Sequence, residues 1–154
     1  MDLEELYQTV ILDHSRRPRN FGALENPDVL VHGDNPACGD EIHLGVRFAA
    51  DGTLQEIKFN GQGCAISQAS ASMMTGKLKG KSREEAAAMA DTFKNIVTGG
   101  PPGPAKGLGD LQLLEGVRKF PQRVKCAMLP WRALEQALAQ TAGEATVSTE
   151  VDPA

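Results

Sequence analysis

Aromatic residues are scarce, at 5% of a 154-residue chain, so leucine, valine, isoleucine, alanine and methionine must fill the core. An excess of positive charge is also missing. Sixteen Lys and Arg stand against twenty Asp and Glu, for a net charge of −4 and a pI near 5.4. A general nucleic-acid binder needs a basic face, so no nucleic-acid partner is expected. No apolar run approaches the ~18 residues of a membrane span. The opening Met1-Asp2-Leu3-Glu4-Glu5 lacks the apolar stretch of a signal peptide. The expectation is a cytoplasmic protein with no membrane association. Cysteine is sparse too. Three cysteines cannot close a disulfide framework, and in a reducing compartment they stay thiols unless bound or reacting.

What remains is ordinary for a globular chain, with 41% apolar and 23% charged residues, at a length that fits one domain. Leu3, Leu6, Tyr7, Val10 and Ile11 recur at helical spacing over residues 2–14. An irregular connector follows over 19–28. Val29–His32 reads as a short strand. Over 41–49, Ile42, Leu44, Val46 and Phe48 share one face and His43, Gly45 and Arg47 the other. Asp51-Gly52 is a hairpin turn, and a strand resumes over 53–60. The stretch 64–78, rich in Ala, Ser and Met, reads as a packed helix. Ser82 and Glu85 form a capping box for a helix running to about Val97. Gly99 to Pro104 must be loop, and 108–118 a short helix. The last helix is expected over 127–140, with Pro130 in its first turn, where proline is tolerated. From Thr141 to Ala154 the small, polar, acidic composition predicts a disordered tail. The domain is therefore placed at 1–140 and the tail at 141–154.

Each cysteine has a distinctive setting. Cys38 lies in Asn35-Pro36-Ala37-Cys38-Gly39-Asp40, a turn at the mouth of the sheet, with Gly39 allowing close backbone approach and Asp40 offering an oxygen. An incidental cysteine in a turn is the plain alternative. Cys64, after Gly61-Gln62-Gly63, starts a helix whose dipole favours a thiolate; a buried core cysteine is the alternative. Cys126 is expected just before the last helix, flanked by Arg123 and Lys125, two effects that lower a thiol pKa. Three thiolates and one carboxylate suit tetrahedral zinc, although the spacing is not that of paired Cys-x-x-Cys motifs. His14, His32 and His43 rank below Asp40 as ligands, and Trp131 reads as a core or interface residue.

These stretches resemble the IscU/SufU family of iron–sulfur cluster assembly proteins. The matching segments are Asn35 to Asp40, Gly61 to Ile66 and Arg123 to Trp131, together with Leu6-Tyr7, Asp13-His14 and Pro18 to Gly22. The likeness covers about residues 3–140. The scaffold branch carries histidine before its third cysteine, where this chain has Lys125, and the SufU branch carries an extra segment, for which Gly99 to Arg118 is the candidate. The resemblance to SufU implies a zinc-dependent sulfurtransferase. Cys38 would accept persulfide sulfur from a pyridoxal-phosphate cysteine desulfurase of the SufS type, once the partner supplies a substitute ligand. Asp40, Cys64 and Cys126 would hold the metal, and the sulfur would pass to downstream cluster assembly proteins.

Two other functions fit the same residues. The four ligands suit a [2Fe–2S] scaffold, and a purely structural zinc would need the metal only to fold. The expected architecture is α+β: a three-stranded antiparallel sheet packed against helices, with the metal site of Cys38, Asp40, Cys64 and Cys126 at one end of the sheet.

Overall fold

The structure, a computed structural model, describes residues 2–101, 103 and 108–149. The chain runs α1 (Leu3–Arg16), β1 (Val29–Asn35), β2 (Asp40–Phe48), β3 (Leu54–Gln62), α2 (Ala65–Leu78), α3 (Arg83–Thr98), a 3-10 helix (Gly109–Lys119), α4 (Pro121–Leu138) and β4 (Gly143–Ser148). The fold is α+β as expected, but the sheet is not a three-stranded antiparallel one. It has four strands in the order β3-β2-β1-β4. β1 pairs antiparallel with β2, β2 antiparallel with β3, and β4 joins β1 in parallel.

The fourth strand comes from the segment expected to be a disordered tail. Gly143 turns into the strand with φ +98°, and its N–H donates to the Asp28 carbonyl at 3.0 Å. Val147 then reaches the core beside Gly33, where an added Cβ would stand 3.3 Å from Val147 Cγ2 and 3.2 Å from Leu129 Cδ1. A strand exposed on one side and at a sheet edge carries few apolar residues, so its composition imitates a tail. Residues 150–154 lie outside the described residues.

The sheet buries one face. Val29, Val31, Ile42, Leu44, Val46, Ile57 and Phe59 are each at most 3% exposed, as alternation along a strand requires. α4 packs across β1, β2 and β4, and α2 lies against β3. α2 is buried nearly all round, including Ser67, Ser70, Ser72 and Thr75. Small side chains there let neighbouring elements come close, and their hydroxyls are paired. Ser70 Oγ donates to the Ala127 carbonyl at 2.7 Å and accepts from Trp131 Nε1 at 3.1 Å. Trp131 itself is fully buried and stacks on Phe93 with ring centroids 4.7 Å apart, so it is a core residue. The capping box forms as read: Ser82 Oγ accepts from Glu85 N–H, and Glu85 Oε1 accepts from Ser82 N–H.

Two boundaries differ from the sequence reading. α4 begins at Pro121, with proline at its start, and Pro130 sits inside the helix. Pro130 has no N–H to give the carbonyl four residues back, that of Cys126; packing of Trp131, Leu129 and Leu134 in the core holds the helix together through that gap. The segment read as 108–118 is an 11-residue 3-10 helix burying Leu111, Leu114 and Val117, with Leu108 also buried. The expected loop at 99–104 falls partly outside the described residues, as do 104–107 of the candidate extra segment.

Candidate metal centre

The four residues singled out by the sequence lie at one end of the sheet. Asn35 ends β1 and Asp40 opens β2, directly opposite each other in the register. Between them a turn carries Cys38, closed by the Cys38 N–H donating to the Asn35 carbonyl at 3.1 Å. Gly39 has φ +71°, a left-handed conformation that glycine adopts freely. Its role is conformational: nothing lies within 4 Å of an added Cβ. The close approach occurs at Gly63 instead, where a Cβ would meet Asp40 Oδ1 and Ser67 Oγ, each at 2.6 Å.

Ligand atoms of Cys38, Asp40 and Cys126 all lie within 4.8 Å of one another. Cys38 Sγ and Cys126 Sγ are 3.3 Å apart. Cys38 is exposed, Cys64 half-buried and Cys126 buried. Cys64 stands outside the tight cluster and adjoins it through two contacts. Its N–H donates to Asp40 Oδ1 at 2.8 Å, and its thiol faces that of Cys126. The hydrogen bond from Cys126 pulls the Cys64 thiol down to about 6. The same contact pushes Cys126 up, aided by burial. The sequence reading expected both thiols to be lowered and placed Cys126 ahead of a helix. Cys126 is instead in the second turn of α4, away from the helix start and its exposed amides, so the dipole argument does not apply to it. Cys64, the N-cap of α2, keeps it.

One residue of the site went unread. Asn35 is fully buried, and its Nδ2 donates to Asp40 Oδ2 at 3.2 Å and to Cys126 Sγ at 3.5 Å. Its Oδ1 accepts from Thr149 Oγ1 at 2.9 Å. Asn35 thus orients two candidate ligands and ties them to the residue just after β4. Its place in the Asn-Pro-Ala-Cys-Gly-Asp segment was the only available signal. None of the histidines joins this cluster. His14 Nδ1 pairs with Ser72 Oγ at 2.7 Å, while His32 and His43 face each other on the outer side of the sheet.

Cys38, Asp40 and Cys126 offer the donor types that tetrahedral zinc takes, with Cys64 at the edge of the group. Zinc takes thiolate sulfur at about 2.3 Å, which sets two sulfurs of one tetrahedron about 3.8 Å apart. Cys38 and Cys126 would therefore separate by about half an ångström, a small change for an exposed turn residue. Asp40, only 1% exposed, already has its two oxygens held by Cys64 N–H and Asn35 Nδ2, so the carboxylate is oriented before any ligand arrives.

Comparison with known proteins identifies the family. The NifU-like N terminal domain profile matches residues 6–127. A Streptococcus pyogenes protein named iron–sulfur cluster assembly scaffold protein IscU is 48% identical over 140 residues, covering 91% of this chain and 87% of its own. The Bacillus subtilis zinc-dependent sulfurtransferase SufU is 45% identical over 142 residues, covering 92% of this chain and 95% of its own. A crystal structure of a hypothetical protein superposes with a TM-score of 0.81 at 47% identity, covering 88% of this chain and 98% of that one. The chain is a member of the NifU-like N-terminal domain family.

Proposed function

We propose that this chain is a zinc-dependent sulfurtransferase of iron–sulfur cluster assembly in the cytoplasm. It would accept persulfide sulfur from a pyridoxal-phosphate cysteine desulfurase of the SufS type and pass it to downstream assembly proteins. The observation that carries the reading is the unequal presentation of the thiols. Cys38 is exposed on a turn, while Cys126 is buried in α4 and Cys64 is anchored at the N-cap of α2. A thiol that must meet a partner's persulfide has to be reachable, whereas permanent ligands are better held by rigid elements.

Cys38, Asp40, Cys64 and Cys126 would hold the zinc, which when bound keeps its thiol ligands deprotonated. Asn35 holds Asp40 and Cys126 in place, and the Gly39 turn gives Cys38 room to swing outward. The Cys38 thiolate attacks the terminal sulfur of the donor persulfide. A Cys38 S–S bond forms, the donor's S–S bond breaks, and the donor cysteine leaves as thiolate. No oxidant is consumed. The SufU branch is further supported by Lys125 before the third cysteine and by the candidate extra segment, part of which forms the 3-10 helix.

A [2Fe–2S] scaffold is the second reading, favoured by the name of the Streptococcus pyogenes relative. Incubation with a desulfurase and cysteine, followed by peptide mass spectrometry, tests the first reading. One added sulfur on the Cys38 peptide, abolished in Cys38→Ser, is the expected result. A sulfur found only on Cys64 or Cys126 overturns the assignment. Anaerobic purification with visible iron–sulfur absorption would favour the scaffold.

A further inference from the structure

Away from the cysteines, the outer face of the sheet carries a histidine pair with no part in the proposed sulfur chemistry. His32 on β1 and His43 on β2 are direct partners in the antiparallel register. Their Nδ1 atoms lie 2.6 Å apart, with ring centroids 4.8 Å apart and planes at 72°. At that separation one Nδ1–H donates to the lone pair of the other Nδ1, and a metal ion that takes the place of that proton meets two convergent ring nitrogens.

We propose that His32 and His43 form a second metal site, for a divalent ion of the zinc and copper type that favours imidazole. Three further observations support it. Glu144 Oε2 from β4 lies 3.6 Å from His32 Nε2, on the far side of the ring from the paired nitrogens. A carboxylate on that side favours a proton on Nε2, which leaves the His32 Nδ1 lone pair for the partner ring or a metal. The next row of the register on the same face is Asp34 opposite Glu41, so carboxylates border the pair along the strands. In the histidine row the outer neighbours are Asn60 on β3 and Thr146 on β4, both uncharged. Lys58, diagonal to His43, is the cation nearest in the register.

The geometry needs little change. Zinc–nitrogen bonds of about 2.0–2.1 Å separate two tetrahedral ligands by about 3.3 Å, so the rings must part by about 0.7 Å. The His32 side chain is 37% exposed, which leaves it free to make that move and leaves the remaining coordination positions to water. The connector covers the same face at Gly45, where a Cβ would stand 3.1 Å from Leu24, but that cover does not bury the histidine row.

Zinc titration of the full chain tests the site by two readouts. In NMR, the ring signals of His32 and His43 should shift or broaden on zinc addition while those of His14 stay. These signals report the outer face whether or not the cysteines hold metal. In equilibrium dialysis, wild type should take up one zinc more than His32→Gln or His43→Gln. Cobalt(II) added in place of zinc should give the same thiolate-to-metal absorption in all three proteins. Glu144→Gln should weaken the outer equivalent roughly 10–100-fold. Unmoved His32 and His43 ring signals, or equal zinc uptake by wild type and the His32→Gln, His43→Gln double variant, would overturn the proposal.

Discussion

Replacing Asn35 by alanine tests whether the candidate ligands are pre-oriented by a side chain that binds nothing itself. Three hydrogen bonds end on the Asn35 amide: to the Asp40 carboxylate at 3.2 Å, to Cys126 Sγ at 3.5 Å and from Thr149 Oγ1 at 2.9 Å. A hydrogen bond to a charged group contributes about 1.5–3 kcal/mol and a neutral one about 0.5–1.5 kcal/mol. The sulfur contact is long and adds little. The site is fully buried, so water cannot readily replace the amide. Asn35→Ala should therefore cost about 2–4 kcal/mol of stability without metal, measured by urea unfolding in the presence of a chelator. Zinc affinity, measured by competition with a chromophoric chelator, should fall roughly 10–100-fold, the usual loss when a group supporting a ligand is removed. Asn35→Asp keeps the volume but sets a second carboxylate against Asp40, and it should bind zinc more weakly at high pH than Asn35→Gln. If Asn35→Ala lowers stability while zinc affinity stays within twofold of wild type, Asn35 is a core hydrogen-bonding residue and does not position the ligands.

Three further outcomes are expected. Chelation should lower the melting temperature, because zinc at about a thousand times its Kd adds about 4 kcal/mol, or about 8–16 °C for a chain of this length; an unchanged calorimetric trace would count against a metal shared by three elements. Gly63→Ala places a Cβ 2.6 Å from Asp40 Oδ1 and Ser67 Oγ, so it should displace the carboxylate and reduce zinc uptake while far-ultraviolet circular dichroism stays close to wild type. A chain ending at Ala142 loses β4 and with it the Thr149 hydroxyl on Asn35; it should be less stable and bind zinc more weakly, and Thr149→Val should reproduce only the affinity loss.

How legible the molecule was depends on the range of the signal. Alternation in 41–49 identified β2 and its buried face because period two is local, and Ser82 with Glu85 marked the start of α3 because a capping box needs only four residues. The Asn-Pro-Ala-Cys-Gly-Asp segment exposed the Cys38 turn for the same reason. β4 was missed because its pairing is with a strand more than a hundred residues earlier, and its few apolar residues, chiefly Val147, have meaning only beside Gly33. The start of α4 was misplaced because Pro130 reads locally as a helix start, whereas burial of Trp131 and its neighbours carries the helix through it.

By itself, the sequence determined which groups are available for reactive chemistry: three thiols in separate motifs, one carboxylate beside a turn, and an odd cysteine count that cannot close a disulfide framework. Residue identity decides what a side chain can ligate, and local spacing decides whether a turn or a helix start presents it. Only the tertiary structure decided how those groups meet. It placed Cys38, Asp40 and Cys126 within 4.8 Å of one another and held Cys64 at their edge. It also put Asn35 beneath them and set His32 against His43 on the opposite face. These are distances between residues far apart in the chain, and they follow from how strands register and helices pack, which no single stretch of sequence contains.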